Sequence, residues 1–519
     1  MTDGPLHIDG CSLTLQDVVA VALGPRQISL GEPARAKMAE SYAWVQKACD
    51  ADDAVYGVNT GFGSLARVRI DAAHSSALSL NLVRSHAAGV GRSPPSHIVR
   101  AMMLLRANAL AKGASGCRPV LVDTLLQMLN KDVIPVVPEQ GSCGSSGDLA
   151  PLAHLGLVMA EGDHGRARFA GEELPAAEAM SRAGIPRLQL EAKDGLAITN
   201  GAQLTTAIAA LSCAKSTRLV IAAEVAAAMS IEALRGASRA FEVGVHRLRP
   251  YAGAVATAHN LRALMAGSTL TDSVAGKVQD AYSLRCTPQV LGASRDALTY
   301  VCAQVAVELN AATDNPLILL DQPGDNKAFS AGMFHGEPVG IPMDVLKIAV
   351  SELASLSERR LYRLTTGSLS GRLPPALAHQ DRPELGMMVP QTTAAALVSE
   401  NKALGWPASM DSIPTCEDQE DHVAMSTTAA RRAARVVDNA RRVVAIEFLA
   451  ASRALAFRRT ENPQCRLGAG TAAAFSAVEV ALSSLSASAT PSDKIECLAA
   501  WIDDGGHLDL GVELVEAGR

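Results

Sequence analysis

The chain has 519 residues, with 47 Lys and Arg against 53 Asp and Glu, so its formal net charge is −6 at pH 7. No basic surface is expected, which argues against nucleic acid as a partner. The ten cysteines are scattered without a Cys-x-x-Cys pair, a pattern that favours free thiols over disulfides or a zinc site. No signal peptide and no apolar run of membrane-spanning length are recognisable. We therefore predict a soluble, cytoplasmic protein that does not bind membranes.

The first 200 residues alternate short apolar segments with Gly and Pro, as in the Val-Ile-Pro-Val-Val-Pro of residues 133–138. Gly and Pro residues at such positions interrupt helices and strands. It predicts an irregular, α-rich N-terminal domain over residues 1–200, with a few small strands and no doubly wound sheet.

From residue 201 the chain becomes rich in alanine, and aromatic residues make up only 3% of the whole sequence. Apolar residues at helical spacing predict long helices over Gln203–Leu234, Ala293–Leu309, Pro342–Leu364 and Gln419–Phe457. We therefore predict a mainly α protein whose second domain, residues 201–519, is a long central helical bundle with a C-terminal tail. Helices this long with an apolar face rarely bury that face completely within a monomer, so the bundle is expected to be shared between subunits.

The most informative segment is Ser145-Ser146-Gly147, which lies among small residues. The glycine nitrogen of such a triplet can attack the carbonyl carbon of the first residue, and the middle serine can then lose its hydroxyl. The product is a 4-methylidene-imidazol-5-one, an electrophile made from the backbone. Glycine suits the attack because it lacks a Cβ and adopts left-handed conformations. A Ser-Ser-Gly turn is common, however, so the triplet alone is weak evidence.

Five further motifs accompany the triplet in the chain. They are the loop Tyr56-Gly57-Val58-Asn59-Thr60-Gly61-Phe62-Gly63, the pair Asn200-Gly201, the segment Gln279-Asp280-Ala281-Tyr282-Ser283-Leu284-Arg285, the segment Phe334-His335-Gly336-Glu337-Pro338, and Gln419-Glu420-Asp421-His422. With Gly144 to Pro151 they occur in the order found in the aromatic amino-acid ammonia-lyase family. The chain resembles this family from about Leu13 to about Arg459, and its histidine-specific members most closely.

The resemblance implies a homotetrameric carbon–nitrogen lyase that uses the methylidene-imidazolone formed from Ser145-Ser146-Gly147 and needs no external cofactor and no metal. It assigns catalytic roles to Tyr56, Ser145, Ser146, Gly147 and Tyr282. It assigns substrate contacts to His86, Asn200, Gln279, Arg285, Phe334 and Glu420. The family more often has alanine at the position of Ser145. Serine should still permit cyclisation, and its hydroxyl could change the hydrogen bonds beside the ring.

Tyr56 corresponds to the family's general base, and its glycine-rich loop could close over a substrate. A tyrosine has a pKa of about 10, so nearby positive charge or dipoles must stabilise its phenolate. Arg285 is the expected carboxylate clamp, because a guanidinium holds both carboxylate oxygens at once. If its segment is helical, Tyr282 lies on the same face. Asp148 has two interpretations: it assists proton transfer during cyclisation, or it caps the helix that begins at Leu149.

The substrate prediction depends on Ser85-His86 and Glu420, which match the histidine-specific sequences. An imidazole ring needs polar partners, and a carboxylate accepts from its N–H. Beside a phenyl ring a buried, unpaired carboxylate would be costly. The expected reaction is therefore the conversion of L-histidine to trans-urocanate. Departures from the family at Arg84, Met333 and Arg382 to Leu385 leave an altered pocket open.

Three other interpretations compete with this one. The first is an enzyme of the same family that acts as an aminomutase, or as a lyase on a modified histidine, tyrosine or phenylalanine. The second is a catalytically silent helical scaffold, which would be expected to lose Tyr56, Arg285 or the triplet, yet all are present. The third is a serine hydrolase, which is disfavoured because Ser146 lacks the Gly-x-Ser-x-Gly spacing.

Overall fold

The computed structural model describes residues 4–50, 55, 57–60, 75–379, 381 and 383–518. The chain divides into two compact units, each built from three separate segments. The first unit comprises Met1–Leu211, Ala303–Asp344 and Pro407–Arg431, and the second comprises Ser212–Cys302, Val345–Trp406 and Arg432–Arg519. Each compact unit combines separate parts of the chain. The domain boundary predicted between residues 200 and 201 remains a prediction.

The first unit combines helices with three small sheets, as the frequent Gly and Pro residues of the first 200 positions predict. Parallel β1 and β2 form one sheet, antiparallel β3, β4 and β5 form a second, and antiparallel β6 and β7 form a third. Its strands are β1 (Leu6–Ile8), β2 (Ile28–Leu30), β3 (Ile134–Pro135), β4 (Arg166–Phe169), β5 (Glu172–Pro175), β6 (Leu317–Ile318) and β7 (Ala328–Phe329). Its helices are α1 (Leu15–Leu23), α2 (Glu32–Asp50), α3 (Ser75–His86), α4 (Ser96–Ala111), α5 (Pro119–Asn130), α6 (Leu149–Met159), α7 (Ala176–Arg182) and α8 (Asp194–Thr199).

Long helices dominate the remainder of the chain, and four of them run from one unit into the other: α9 (Gln203–Ala233), α13 (Thr287–Glu308), α14 (Glu337–Thr365) and α16 (Ser426–Glu461). The second unit also contains α10 (Val243–Arg247), α11 (Ala252–Leu264), α12 (Tyr282–Arg285), α15 (Met388–Leu404), α17 (Ala469–Ser483) and α18 (Pro491–Asp503). The prediction of a mainly α protein is confirmed.

The four predicted long helices are all present, but the last begins later than predicted. Residues 419–425 precede α16 and are not helical. Glu420 exchanges two backbone hydrogen bonds with Thr415, and Met425 has a left-handed φ of 47°. Residues 419–425 contain neither proline nor glycine, so no local residue indicates the break. The correction matters because the non-helical segment carries Glu420.

The packing of α3, α6 and α8 brings three functional segments together. These helices approach closely at Gly156 of α6, where a Cβ would lie 2.9 Å from Val83 of α3 and 3.0 Å from Ile198 of α8. His86 is the last residue of α3, and Asn200 is the C-cap of α8. The Ser-Ser-Gly triplet ends just before α6 begins. One end of this three-helix packing therefore assembles the candidate site.

The second unit has a core of small and branched side chains that also contains buried ion pairs. Arg360 donates to both carboxylate oxygens of Glu447, at 2.6 and 2.8 Å, and neither side chain is exposed. Ser230 and Ser357 donate to the same carboxylate. Arg295 likewise joins the buried Glu224 to the backbone oxygens of residues 515 and 516. The C-terminal tail is thus fixed to this unit.

One helix qualifies the expectation about membrane-spanning runs. By length and composition α9 could cross a membrane, because its most apolar 18-residue window has a mean hydropathy of 1.3. However, 78% of that window is buried inside the protein, which is the environment of a core helix.

Candidate active site

A cavity of about 640 Å³ opens in the first unit at the end of the α3, α6 and α8 packing. Its lining combines hydroxyl, carboxylate, amide and imidazole groups with a few apolar side chains. Six of the predicted site residues line it: His86, Ser145, Ser146, Asn200, Phe334 and Glu420. The other lining residues are Leu82, Leu149, Leu196, Asn315, Ser330, Ala331, Gly332, His335, Cys416, Gln419, Asp421 and His422. Such a polar, concave site suits a small, polar molecule.

The backbone of the triplet is held where only glycine fits at its third position. Gly147 has a φ of +74°, and a Cβ there would lie 2.3 Å from the carbonyl carbon of Gly201. The two glycines form an isolated parallel bridge, and the next amide, of Asp148, donates to the Gly201 oxygen at 2.6 Å. This close approach holds the glycine end of the triplet against a second backbone segment. The arrangement fits a triplet that must fold on itself, because both contacts restrict the turn.

The Asp148 side chain connects both ends of the same loop. It is fully buried and accepts hydrogen bonds from Ser142 at 2.7 Å, from Thr427 at 2.7 Å, and from the backbone and hydroxyl of Thr205 at 2.8 and 3.0 Å. The Ser142 hydroxyl in turn accepts from the amide of Gly144. Asp148 occupies the N-cap position of α6 but makes no side-chain capping bond. The capping interpretation is therefore wrong: the carboxylate is already occupied by donors from outside the helix.

Asn200 faces the middle residue of the triplet. Its side-chain nitrogen donates to the backbone oxygen of Ser146 at 3.2 Å. Its side-chain oxygen is buried and accepts no hydrogen bond from the residues that the structure describes. Its backbone oxygen accepts from the fully buried Arg106 at 2.9 Å, and this hydrogen bond restrains the backbone of Asn200. A buried amide oxygen without a donor is costly in a native fold, which makes it a ready acceptor for a bound amine.

Glu420 lies beside the triplet and accepts hydroxyl hydrogen bonds. Ser145 donates to Oε2 at 2.8 Å, Ser146 donates to Oε1, and Thr415 donates to Oε2. Burial raises the pKa of Glu420, but the hydrogen bonds from Ser146, Thr415 and Ser145 outweigh it and leave the pKa below its ordinary value. The side chain is therefore an ionised acceptor at neutral pH.

His86 contributes an imidazole to the same cavity. Its Nδ1 lies 2.9 Å from the hydroxyl of Ser85. Burial lowers the pKa of His86 below its ordinary value, although the negative charge of Glu420 acts in the opposite direction. A neutral imidazole has one donor and one acceptor nitrogen, so His86 can hydrogen-bond a polar ring without adding charge.

Three further predicted site residues do not line this cavity. Gln279, Tyr282 and Arg285 belong to the second unit, where Gln279 lines a separate cavity of about 470 Å³. The predicted helical face is present, since α12 contains both Tyr282 and Arg285 and the guanidinium carbon lies 4.6 Å from the tyrosine ring centre. The Tyr282 side chain is 69% exposed. Tyr56 lies outside the described residues.

Two sequence departures that suggested an altered pocket lie outside the cavity lining. Met333 is 48% exposed and does not line the cavity, although Phe334 does. Arg84 is exposed near the end of α3 and does not line it either. In the third departure, Arg382 lies outside the described residues, and Leu385 is exposed in the second unit.

Sequence reasoning missed several residues of the cavity wall. Leu82 and Leu196 supply apolar surface, and Asn315 and Ser330 supply polar groups joined by a 3.2 Å hydrogen bond. The sequence analysis also missed the turn from Thr415 to Glu420. In this turn three successive residues, 416–418, have φ between 52° and 61°. Helical spacing could have indicated Leu82, but no local signal points to the others. Within the described part of the chain, no group of three or more His, Cys, Asp and Glu side chains is placed to hold a metal ion.

Comparison with known proteins identifies the family. The model of the aromatic amino acid lyase family matches residues 13–480. This chain belongs to the aromatic amino acid lyase family. It is therefore a carbon–nitrogen lyase, and the family predicted from the six motifs is confirmed.

Relatives of this lyase include enzymes with more than one activity. It is 49% identical to the histidine ammonia-lyase of Caldanaerobacter subterraneus subsp. tengcongensis over 453 residues, which cover 87% of this chain and 88% of the relative. The crystal structure of histidine ammonia-lyase from Trypanosoma cruzi matches with a TM-score of 0.88 at 36% identity, over 97% of this chain and 94% of that one. Tyrosine aminomutase from Streptomyces globisporus matches with a TM-score of 0.89 at 35% identity, over 97% and 98%.

Proposed function

We propose that this lyase eliminates ammonia from L-histidine to give trans-urocanate, with a methylidene-imidazolone formed from Ser145-Ser146-Gly147. The observation that carries the proposal is the pairing of an ionised Glu420 and a neutral His86 in one cavity with the triplet. An imidazole N–H finds an acceptor in this carboxylate, whereas a phenyl ring would leave the carboxylate without its partner.

The residues around the triplet fit the prosthetic group. Gly147 has the left-handed conformation and close backbone contact that a larger residue would prevent. Asn200 already contacts the Ser146 backbone and has an unused acceptor oxygen. When formed, the group supplies the electrophile that binds the substrate amine and makes it a better leaving group.

This chain's side chains would then bind and orient the substrate. Asn200 Oδ1 accepts from the substrate amine, and Phe334 packs on the substrate within the cavity wall. Glu420 and His86 hydrogen-bond the imidazole ring. In keeping with the family resemblance, Tyr56 removes the β-proton through its phenolate oxygen. Tyr282 does not line the cavity of this chain, so it has to reach the reacting centre within the proposed homotetramer.

The substrate carboxylate requires a cation, which the described residues of the cavity wall do not supply. Among the described residues that line the cavity none is Lys or Arg, while Glu420 and Asp421 are acidic. Arg285 is the proposed clamp, together with Gln279 as a further substrate contact. In the proposed homotetramer, these residues have to reach the substrate from whichever copy of the chain supplies them.

Replacement of Ser146 by alanine tests the proposal. Purified S146A is expected to lose urocanate formation by roughly a thousandfold or more, because the substrate amine then has no electrophile. It should also lose the near-ultraviolet absorbance of the ring. C143A, which changes a neighbouring residue outside the triplet, should keep both. Full activity of S146A would overturn the proposed chemistry.

A second candidate is an aminomutase, which the fold match to tyrosine aminomutase favours. Product analysis separates the two reactions, because an aminomutase returns the amine to the β-carbon and a lyase releases ammonia. An assay against histidine, tyrosine, phenylalanine and N-methylated histidine decides the substrate. We also propose a homotetramer and a cytoplasmic location, which size-exclusion chromatography with light scattering and cell fractionation would test.

A further inference from the structure

The two oxygens of Glu420 have different partners. Oε2 accepts from the hydroxyls of both Ser145 and Thr415, whereas Oε1 accepts from the hydroxyl of Ser146. Ser145 is 7% exposed, so its hydroxyl makes this bond in a largely water-free position. A hydrogen bond to a charged group is stronger there than at an open surface.

Formation of the prosthetic group would remove the hydrogen bond from Ser146 to Glu420 and leave the other two in place. The nitrogen of Gly147 bonds to the carbonyl carbon of Ser145, whose oxygen leaves as one water molecule with the amide hydrogens of Gly147 and Ser146. Ser146 then loses its hydroxyl and its α-hydrogen as a second water molecule. The Ser145 side chain takes no part in either step and keeps its hydroxyl. Oε1 of Glu420 therefore loses its donor from the triplet, while Oε2 keeps both of its donors.

The hydrogen bond from Ser145 restrains a glutamate that lies at the end of an exposed turn. Thr415 and Glu420 exchange backbone hydrogen bonds of 3.0 and 3.3 Å around a turn of three left-handed residues, 416–418. Those three residues are exposed. A glutamate side chain has several rotatable bonds, and fixing it costs conformational entropy that a directional hydrogen bond must offset. Ser145 supplies such a bond from the buried side of the cavity.

We propose that Ser145 is a positioning residue for substrate specificity: its hydroxyl fixes Oε2 of Glu420 so that Oε1 accepts the N–H of an imidazole ring. The inference rests on the proposed function, since it concerns how that site selects histidine over phenylalanine. It predicts that alanine at this position weakens the preference for an imidazole ring without preventing cyclisation.

The test measures the dissociation constants of urocanate and of cinnamate by titration calorimetry on the full-length protein. Cinnamate has a phenyl ring in place of the imidazole and makes no N–H hydrogen bond. The variants are S145A, E420Q and the double variant, with S330A as the matched control. Ser330 lines the same cavity but donates to Asn315 rather than to Glu420. Intact mass confirms that each compared protein has lost two water molecules.

The ratio of the cinnamate to the urocanate dissociation constant is expected to fall about tenfold in S145A, the size of one lost hydrogen bond to a charged group. It should stay unchanged in S330A. In the E420Q background, S145A should have little further effect, because the carboxylate that it positions is absent.

The outcomes separate this inference from the proposed function. A wild-type protein that prefers urocanate, with an S145A variant of equal preference, overturns the inference alone. An equal loss in the presence and absence of Glu420 also overturns it. A wild-type protein that binds urocanate no better than cinnamate overturns the proposed function and this inference together.

Discussion

Two carboxylates show how the bundle and the cavity use charge differently. Glu447 in the second unit is fully buried and holds a two-bond ion pair with Arg360 plus two serine hydroxyls. Glu420 in the first unit is half-buried and accepts from the hydroxyls of Ser145, Ser146 and Thr415. The first carboxylate is saturated and neutralised, as a structural pair must be. The second is ionised and oriented, and the described residues that line its cavity include no Lys or Arg, so it can accept from a ligand.

The largest expected effect comes from breaking the structural pair. R360A leaves Glu447 buried without its cation, which should lower the free energy of unfolding by about 3 to 5 kcal/mol. Thermal or denaturant unfolding measures the loss. E447Q with R360M, which removes both charges, should recover much of it. A fully stable R360A would show that the pair does not hold the bundle together.

The corresponding change in the cavity should affect catalysis rather than stability. E420Q is expected to lower kcat/KM for histidine roughly a hundredfold, because the imidazole loses a charged acceptor. The melting temperature should change little, since the site is half-buried. Steady-state kinetics and a melting curve on the same preparation test both statements. If E420Q unfolds as readily as R360A but retains its kcat/KM, the assignment of the two carboxylates is reversed.

Acid should act on the two regions through different histidines. Burial lowers the pKa of His507 in the second unit to about 4. Between the ordinary pKa of about 6.5 and that value, the unfolded chain binds a proton that the native chain does not. The free energy of unfolding should therefore fall by about 1.4 kcal/mol for each pH unit from about 6.5 down to 4. H507Q should remove this slope. An unchanged slope would mean that other groups cause it.

The cavity has its own response to acid. Burial also lowers the pKa of His86, so this imidazole stays neutral somewhat below the ordinary histidine pKa. We expect the acid limb of kcat/KM that belongs to His86 to lie below about 6.5. H86N, which keeps a hydrogen-bonding group without a titration, should move or remove that limb. A limb that is identical in both proteins would assign it to another group.

The smallest expected effect is at Met333. Because its side chain is half-exposed and does not line the cavity, M333N should change KM for histidine less than about threefold, as surface substitutions usually do. A larger change would show that this position contacts the substrate. N200A, which removes a group that touches the triplet, provides the contrasting result of a large loss.

The sequence predicted features with a local physical cause more readily than features that depend on long-range contacts. Alanine-rich helical spacing located α9 almost to the residue, and the small residues around Gly147 indicated a backbone turn. The non-helical segment before α16 was not predictable, because Met425 adopts a left-handed conformation and residues 419–425 contain no glycine or proline that would indicate it.

The contacts of the candidate site were the least predictable. Ser145 and Glu420 are 275 positions apart, so their hydrogen bond leaves no local pattern in the sequence. The role of Asp148 depended on Thr205 and Thr427, which arrive from distant segments. Family resemblance assigned roles to residues at the cavity, whereas the serine hydroxyl that distinguishes this chain required the fold to find its partner.

The mass of the intact, purified chain tests the central claim most directly. Cyclisation and dehydration of Ser145-Ser146-Gly147 predict a mass lower than that of the sequence by two water molecules, and S146A should keep its full mass. An unmodified wild-type chain that nonetheless converts histidine to urocanate would contradict the proposed chemistry.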